Sequence, residues 1–345
     1  MGIIHKLAVQ NIRSHESYVL SPDKNVTIIT GLNGSGKTSL LEAIYTALRG
    51  TSFKGADKDL LRHDAPWWRI DLLLDDSPRK ITFNPEKQTA RKQFVIDDKA
   101  TARIPVKNKY PVVLFEPDDL RLLHGSPSRR RAFIDTFIGQ LEPQYGTIVR
   151  KYDRILKQRN NLLKTGSYTD DELFAWDMSL AECGAVIVQQ RQKYIELLNT
   201  QLSGLYKDIS GTADNITVEY SKEYPQSAQQ ALLHELYAAR QRDSYLGSTS
   251  VGPHRHDVLF SLNGSPAQTV ASRGESRTIV LAIKFLEVSI TESHTGSSPI
   301  VLLDDVFSEL DATRQQLLTE YLKDNQILIT SATSHADQRF LHVEL

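Results

Sequence analysis

Gly31-Leu32-Asn33-Gly34-Ser35-Gly36-Lys37-Thr38 is the stretch on which the reading of this chain turns. It follows Val26 to Thr30, a short, apolar, β-branched run with the character of an inner strand. It opens a helix from about Lys37 to Leu48, in which Leu40, Leu41, Ile44 and Leu48 recur at helical spacing. Between a strand and a helix, G-x-x-x-x-G-K-[ST] is a phosphate cradle. Its glycines let the backbone curl so that successive N–H groups converge on an anion. The helix N-terminus adds its dipole and free donors. The pattern assigns Lys37 to the β- and γ-phosphates and Thr38 to Mg²⁺. Asn33, Gly34, Ser35, Gly36 and Ser39 join them as expected nucleotide contacts, with ATP and Mg²⁺ the expected cofactors.

Working outward, Ile300-Val301-Leu302-Leu303-Asp304-Asp305 reads as a buried parallel strand that delivers an acidic pair to its C-terminal end. Asp304 is expected to hold Mg²⁺ through oxygen or water, and Asp305 to polarise the attacking water. A further helix, about Ala312 to Lys323, and a strand, Ile327 to Thr330, give the strand–helix–strand order of a parallel sheet with flanking helices. Ile70–Leu74, Lys80–Phe83 and Gln93–Ile96 read as antiparallel strands. From Gly125 to about Leu246 the texture is helical without sustained heptads. The expected division is therefore an ATPase head over 1–125 and 247–345, and an all-helical lobe over 126–246.

Bulk properties narrow the class. In 345 residues, 41 basic and 42 acidic side chains nearly cancel, so any nucleic-acid surface must be local. One cysteine, Cys183, supports neither a disulfide framework nor a thiolate zinc site, which fits the cytoplasm. Neither a signal peptide nor a run of about 20 apolar residues is visible, so no membrane role is expected. His5, His15, His63 and His254 lack the spacing of a metal site. Trp67-Trp68 reads as core and rim packing.

Ala271-Ser272-Arg273-Gly274-Glu275 before a helix, and Ser308-Glu309-Leu310-Asp311 after the acidic pair, together with the cradle resemble the ABC-type ATPases. That resemblance implies that Ser272 and Gly274 meet the γ-phosphate held by a second copy of the chain. Ser272 also reads as a helix N-cap.

A closer resemblance spans nearly the whole chain. Asn11 to His15, Gly31 to Tyr45, Val113 to Leu120, His124 to Pro127, Arg129 to Asp135, Gln158 to Lys164, Val251 to Arg255, Leu302 to Asp305 and Ser308 to Asp311 are similar, in order, to the motifs of the RecF family. The resemblance implies an α/β P-loop head of ABC/SMC type, with a mixed sheet, flanking helices and an inserted helical lobe. It also implies a homodimer formed on ATP binding that clamps double-stranded DNA near single-strand gap junctions. With RecR and RecO the dimer would promote loading of RecA, in gap repair and the SOS response. Arg13 and Ser14 would pack against the nucleotide phosphates. Asp305 in place of a transporter's glutamate implies slow hydrolysis. Glu275 and Ser276 stand where the family usually has two glutamines, which adds negative charge at the signature. His256 stands where the family usually has aspartate. Glu116 to Asp119 is the candidate glutamine loop, and Thr333 the candidate switch residue.

Between Arg121 and Arg159 stand nine basic and three acidic residues, among them Arg129-Arg130-Arg131, Arg150, Lys151, Arg154, Lys157 and Arg159. A basic stripe would attach to DNA phosphates without reading sequence, while a solvated helix face gives the same count. Two alternatives to a DNA clamp remain open from residues alone: a nucleotide-regulated repair scaffold with little direct hold on DNA, and a transporter motor.

Overall fold

The computed structural model describes residues 2–224, 227–332 and 340–345. The first elements are β1 (Ile4–Ile12), β2 (His15–Leu20), β3 (Val26–Thr30) and α1 (Lys37–Arg49), then β4 (Trp68–Leu74), β5 (Ser77–Phe83), β6 (Lys92–Ile96), β7 (Lys99–Thr101) and β8 (Val112–Phe115). Helices α2 (Pro127–Leu141), α3 (Tyr145–Thr165) and α4 (Asp170–Ser210) follow, then β9 (Ile216–Tyr220), α5 (Ala228–Leu246), β10 (Val258–Leu262), β11 (Ser265–Pro266), α6 (Ala267–Val270) and α7 (Arg273–Thr295). The chain closes with β12 (Ile300–Asp304), α8 (Ala312–Tyr321), β13 (Ile327–Ser331) and β14 (Leu341–Glu344).

Packing separates two units, Met1–Leu120 with Glu287–Leu345, and Arg121–Leu286. In the first, β14-β3-β13-β12-β8 form an all-parallel sheet. Strands β3, β12 and β13 are buried at every residue, as apolar runs covered on both faces must be. A second sheet, β2-β1-β4-β5-β6-β7, is antiparallel. Strand β4 alternates strictly, with Trp68, Ile70, Leu72 and Leu74 turned inward. The expected mixture of strand directions is thus divided between two sheets. Helix α1 packs against strands of both. Its Leu40, Leu41, Ile44 and Leu48 join one core with Leu7, Ile29, Trp68, Leu302 and Leu328. Trp68 is fully buried and donates its indole N–H to the Asp57 carbonyl, whereas Trp67 is exposed.

In the second unit α4 runs for 41 residues, about 60 Å at 1.5 Å per residue. It starts at a reciprocal cap: Thr169 Oγ1 accepts from the Glu172 amide, and Glu172 accepts from the Thr169 amide. The lobe is helical but also carries β9, in which Ile216, Val218 and Tyr220 are buried and alternate with more exposed residues. Strand β10 pairs with β9 and β11. That pairing ties residues 258–266 to the lobe; the packing boundary falls at 286/287 inside α7, whereas the sequence places 247–286 with the head. No described helix is long and apolar enough to cross a membrane.

Several arginines of the expected basic stripe are internal. Arg159 is fully buried and donates to Asp177 at 2.7 Å, Asp243 at 2.9 Å and Thr249 at 2.8 Å. Arg130 grips both oxygens of Asp257, and Arg131 donates to the His256 carbonyl. Arg130 and Arg159 are buried and therefore do not belong to a DNA-facing stripe, whereas Arg131 is half-buried. Exposed Arg150, Lys151, Arg154 and Lys157 of α3 remain on its solvent side. The Val251 to Arg255 motif is tied to the same interior. The Tyr152 hydroxyl donates to His254 Nδ1, and His254 Nε2 donates to the Thr249 carbonyl. Arg191 bridges Asp135 and the Pro253 carbonyl.

Replacing Arg159 with methionine removes the shared cation of two buried aspartates, leaving Asp177 with Arg240 and Asp243 with Ser250, and should lower the unfolding free energy in urea melts by about 3 kcal/mol. Burial also holds the His254 imidazole near a pKa of about 4 and that of His256 near about 3, against 6.5 for an ordinary histidine. The unfolded chain takes up protons below 6.5 that the native rings refuse, so this stability is complete above pH 6.5 and is lost as pH falls toward 4. Each ring should contribute a slope of about 1.4 kcal/mol per pH unit. A His256→Gln variant should show a stability–pH profile shallower by one ring's contribution.

Candidate nucleotide-binding site

The site forms where three parallel strands end side by side. The register sets Asp304 beside Thr330, and Ser331 beside Thr30. The chain leaves β3 through Gly31, turns at Gly34 and Gly36, and enters α1. Gly34 and Gly36 have φ of 87° and 97°, in the left-handed region that favours glycine. A Cβ at Gly36 would lie 2.3 Å from both His15 Nε2 and Ser14 Oγ, so those side chains would have to move, and the positive φ favours glycine whatever the space. Gly36 is the N-cap of α1 and brings no side chain to its first-turn amides, which have no acceptor within the helix.

Lys37 is buried, with Nζ 2.7 Å from the Gly31 carbonyl and 3.0 Å from that of Leu32, so its charge is held at the inside of the loop. Ser35 Oγ is buried without a hydrogen-bond partner. An ammonium, a hydroxyl and a helix end converge on one curl of backbone, a donor set that fits a polyphosphate. The pocket there measures about 300 Å³ and is lined by Asn33, Gly34, Gly36, Lys37, Thr38 and Ser39, with Arg13, Ser14, Asp305 and Thr330 around them.

Thr38 and Asp304, 266 positions apart, meet at 2.6 Å, the threonine hydroxyl donating to Oδ1. Thr330 Oγ1 lies 2.9 Å from the same oxygen. A carboxylate and a hydroxyl are hard oxygen donors, and two protein ligands with the rest from phosphate and water is the Mg²⁺ habit. The residues present therefore fit the metal. Among the described residues there is no group of three or more His, Cys, Asp or Glu side chains that could hold an ion on its own. Asp305 adopts φ of 53° and donates its amide to Thr330 Oγ1 at 2.9 Å, which turns its side chain to the pocket wall.

Arg13 and Ser14 lie in the tight turn between β1 and β2, where Ile12 pairs with His15. Both line the pocket, but the Arg13 fork is engaged by Glu42 of α1, at 2.8 and 3.0 Å. Its expected role as a phosphate clamp is therefore shared with a structural one. His15, to which the sequence gives no role, packs Nε2 against the Gly36 carbonyl at 3.1 Å. Glu42 is fully buried inside an apolar helix, and that incongruity is the only sequence signal of its partner. The sequence marks Thr330 only as the end of an inner strand. Lys54, 3.0 Å from Asp304 Oδ2, carries no signal at all.

Ser272 and Gly274 belong to the second packing unit, whereas the other expected site residues belong to the first. Ser272 is exposed and caps α7: its Oγ accepts from the Glu275 amide at 3.2 Å, and its own amide donates to Glu275 at 2.7 Å. Glu275, an expected electrostatic cost, is thus the acidic half of a capping box. Ser276 is buried against His124 at 3.1 Å. In the candidate glutamine loop, the Glu116 amide donates to Asp119 at 2.8 Å. Asp311 caps α8 through the Arg314 amide. Thr333 lies outside the described residues.

Comparison with known proteins agrees with this geometry. The RecF/RecN/SMC N terminal domain family matches residues 3–340. The DNA replication and repair protein RecF of Agathobacter rectalis is 35% identical over 95% of this chain and 91% of its own length. That of Streptococcus pyogenes serotype M49 is 33% identical over 99% and 96%. The recombination mediator protein RecF with ATP superposes at a TM-score of 0.87 with 29% identity, over 97% of this chain and 93% of the other. An Smc head bound to the C-winged helix domain of ScpA shares the fold alone, at a TM-score of 0.52 and 16% identity. On these grounds the chain belongs to the RecF family, within the RecF/RecN/SMC group of P-loop ATPase heads.

Proposed function

We propose that this chain is an ATP-dependent recombination mediator whose ATP-joined dimer clamps duplex DNA near single-strand gaps. The observation that carries the reading is the Thr38–Asp304 hydrogen bond at the mouth of a glycine cradle, which brings a metal-ligand pair to the triphosphate position. Bound Mg²⁺ would neutralise phosphate charge and orient the γ-phosphate. Lys37 and the amides of the cradle bind the phosphates, and Thr38 and Asp304 hold the metal. Asp305 orients the attacking water and accepts its proton through a short side chain, consistent with slow turnover. Ser272 and Gly274, at the exposed start of α7, meet the phosphate held by the second copy. With RecR and RecO, the closed dimer favours RecA loading in gap repair and the SOS response. Hydrolysis releases the DNA. The setting is the cytoplasm.

Duplex DNA is the favoured partner over a scaffold role because Arg150, Lys151, Arg154 and Lys157 remain exposed after the buried arginines are discounted. Their ammonium and guanidinium groups can attach to phosphates without base reading.

Light scattering with a slowly hydrolysed ATP analogue and duplex DNA should show the mass double, and ADP should leave it single. Ser272→Arg should stay single while binding nucleotide as the parent does; a doubled mass in that variant would overturn the assignment of Ser272. Lys37→Ala should weaken ATP binding by roughly tenfold or more, about 1.4 kcal/mol. In gel shifts across a salt series, Arg150→Ala with Arg154→Ala should reduce the slope of log affinity against log salt by about 0.9 for each phosphate no longer neutralised. An unchanged slope would move DNA binding away from α3.

A further inference from the structure

Asp304 is surrounded more fully than a waiting metal ligand need be. Oδ1 receives the hydroxyls of Thr38 and Thr330, and Oδ2 receives the Lys54 ammonium at 3.0 Å. The aspartate side chain is 4% exposed and that of the lysine 37%, so the pair sits at the rim, where an ammonium can leave.

Lys54 is held there by its loop. Its own amide donates to Ser52 Oγ at 2.9 Å, and the Gly55 amide does so at 3.1 Å. Ser52 in turn donates to Glu42, the buried carboxylate that engages the Arg13 fork. Phe53, one residue before, sets its ring edge-on to Tyr45 of α1. The loop is thus fixed to α1 at two successive residues, and Lys54 projects from a rigid base onto one oxygen of the metal aspartate. A polar chain runs from Arg13, which lines the pocket, through Glu42 and Ser52 to Lys54 and Asp304.

We propose that Lys54 is the resident counter-cation of Asp304, and that a divalent ion entering with nucleotide must displace it. The inference rests on the reading of Asp304 as a metal ligand. An ammonium and a divalent ion on one carboxylate repel each other at short range, even where the rim lets water screen them in part. Lys54 therefore raises the Mg²⁺ concentration at which nucleotide is held tightly, and keeps the buried aspartate neutralised before nucleotide arrives. It is a positioning residue that acts through Asp304. Ser52 sets how firmly it competes, since loosening the loop frees the ammonium.

The test is a Mg²⁺ titration of the full chain with a fluorescent, slowly hydrolysed ATP analogue, with parallel binding in EDTA. Lys54→Met should lower the half-saturating Mg²⁺ concentration roughly three- to tenfold, with a much smaller change in EDTA. Lys54→Arg should keep the parent's requirement, and Ser52→Ala should move in the direction of methionine. Electron paramagnetic resonance of Mn²⁺ on the same variants reads metal occupancy without turnover. An unchanged or higher requirement in Lys54→Met, with Asp304→Asn abolishing the metal dependence, sinks the role of Lys54 alone. If Asp304→Asn keeps the parent's dependence, Asp304 is not the ligand and both readings fail.

Discussion

A single hydrogen bond, from the hydroxyl of Thr38 to the carboxylate of Asp304, joins the two halves of the nucleotide site. It spans 266 positions of sequence, and the inserted unit lies wholly within that span. Its geometry requires β3 and β12 to end at one level. That in turn requires the parallel register in which β13 pairs with both and Thr330 stands beside Asp304. The buried aliphatic strands fix this register, because sliding one strand by a residue would turn its side chains to the wrong faces. Core packing and phosphate chemistry are therefore coupled through the strand ends. A substitution in β12 far from any ligand can change binding by shifting Asp304.

The halves of the site are unequally legible in the sequence. The cradle can be read because its constraints are local: glycines at fixed offsets, then lysine and threonine on the first turn of a helix. Asp304 can be read because an apolar strand ending in acids is also local. The ring around them cannot. Lys54 reaches Asp304 from a loop with no motif, and Thr330 reaches it from a strand whose sequence says only that it is buried. Strand β9 escapes because it is brief and surrounded by helix-forming sequence, although its alternation agrees with a two-residue period. Long-range pairing decides such cases, and one sequence holds no record of it.

Charge counting is the poorer guide. Arg130 and Arg159 sit among a dense run of basic residues, yet each is buried with aspartates from distant segments. Planar guanidinium groups suit such interior junctions because one fork satisfies several acceptors at once. Arg159 gathers α4, α5 and the segment after it onto α3. Family motifs around Arg159 and Arg255 therefore report on assembly of the lobe as much as on any ligand. The exposed cations of α3, spaced along one helix, are among those the count leaves at the surface.

The capping box at α7 changes the character of the surface it terminates. Glu275 already fills the amide end of that helix with an internal carboxylate, and the Ser272 hydroxyl is committed to the same turn. An incoming phosphate would not find a bare positive pole. It would trade places with a tethered anion, so engagement there becomes an exchange of like charges with little net gain in electrostatic attraction. An attachment of that kind is intrinsically weak and readily reversed.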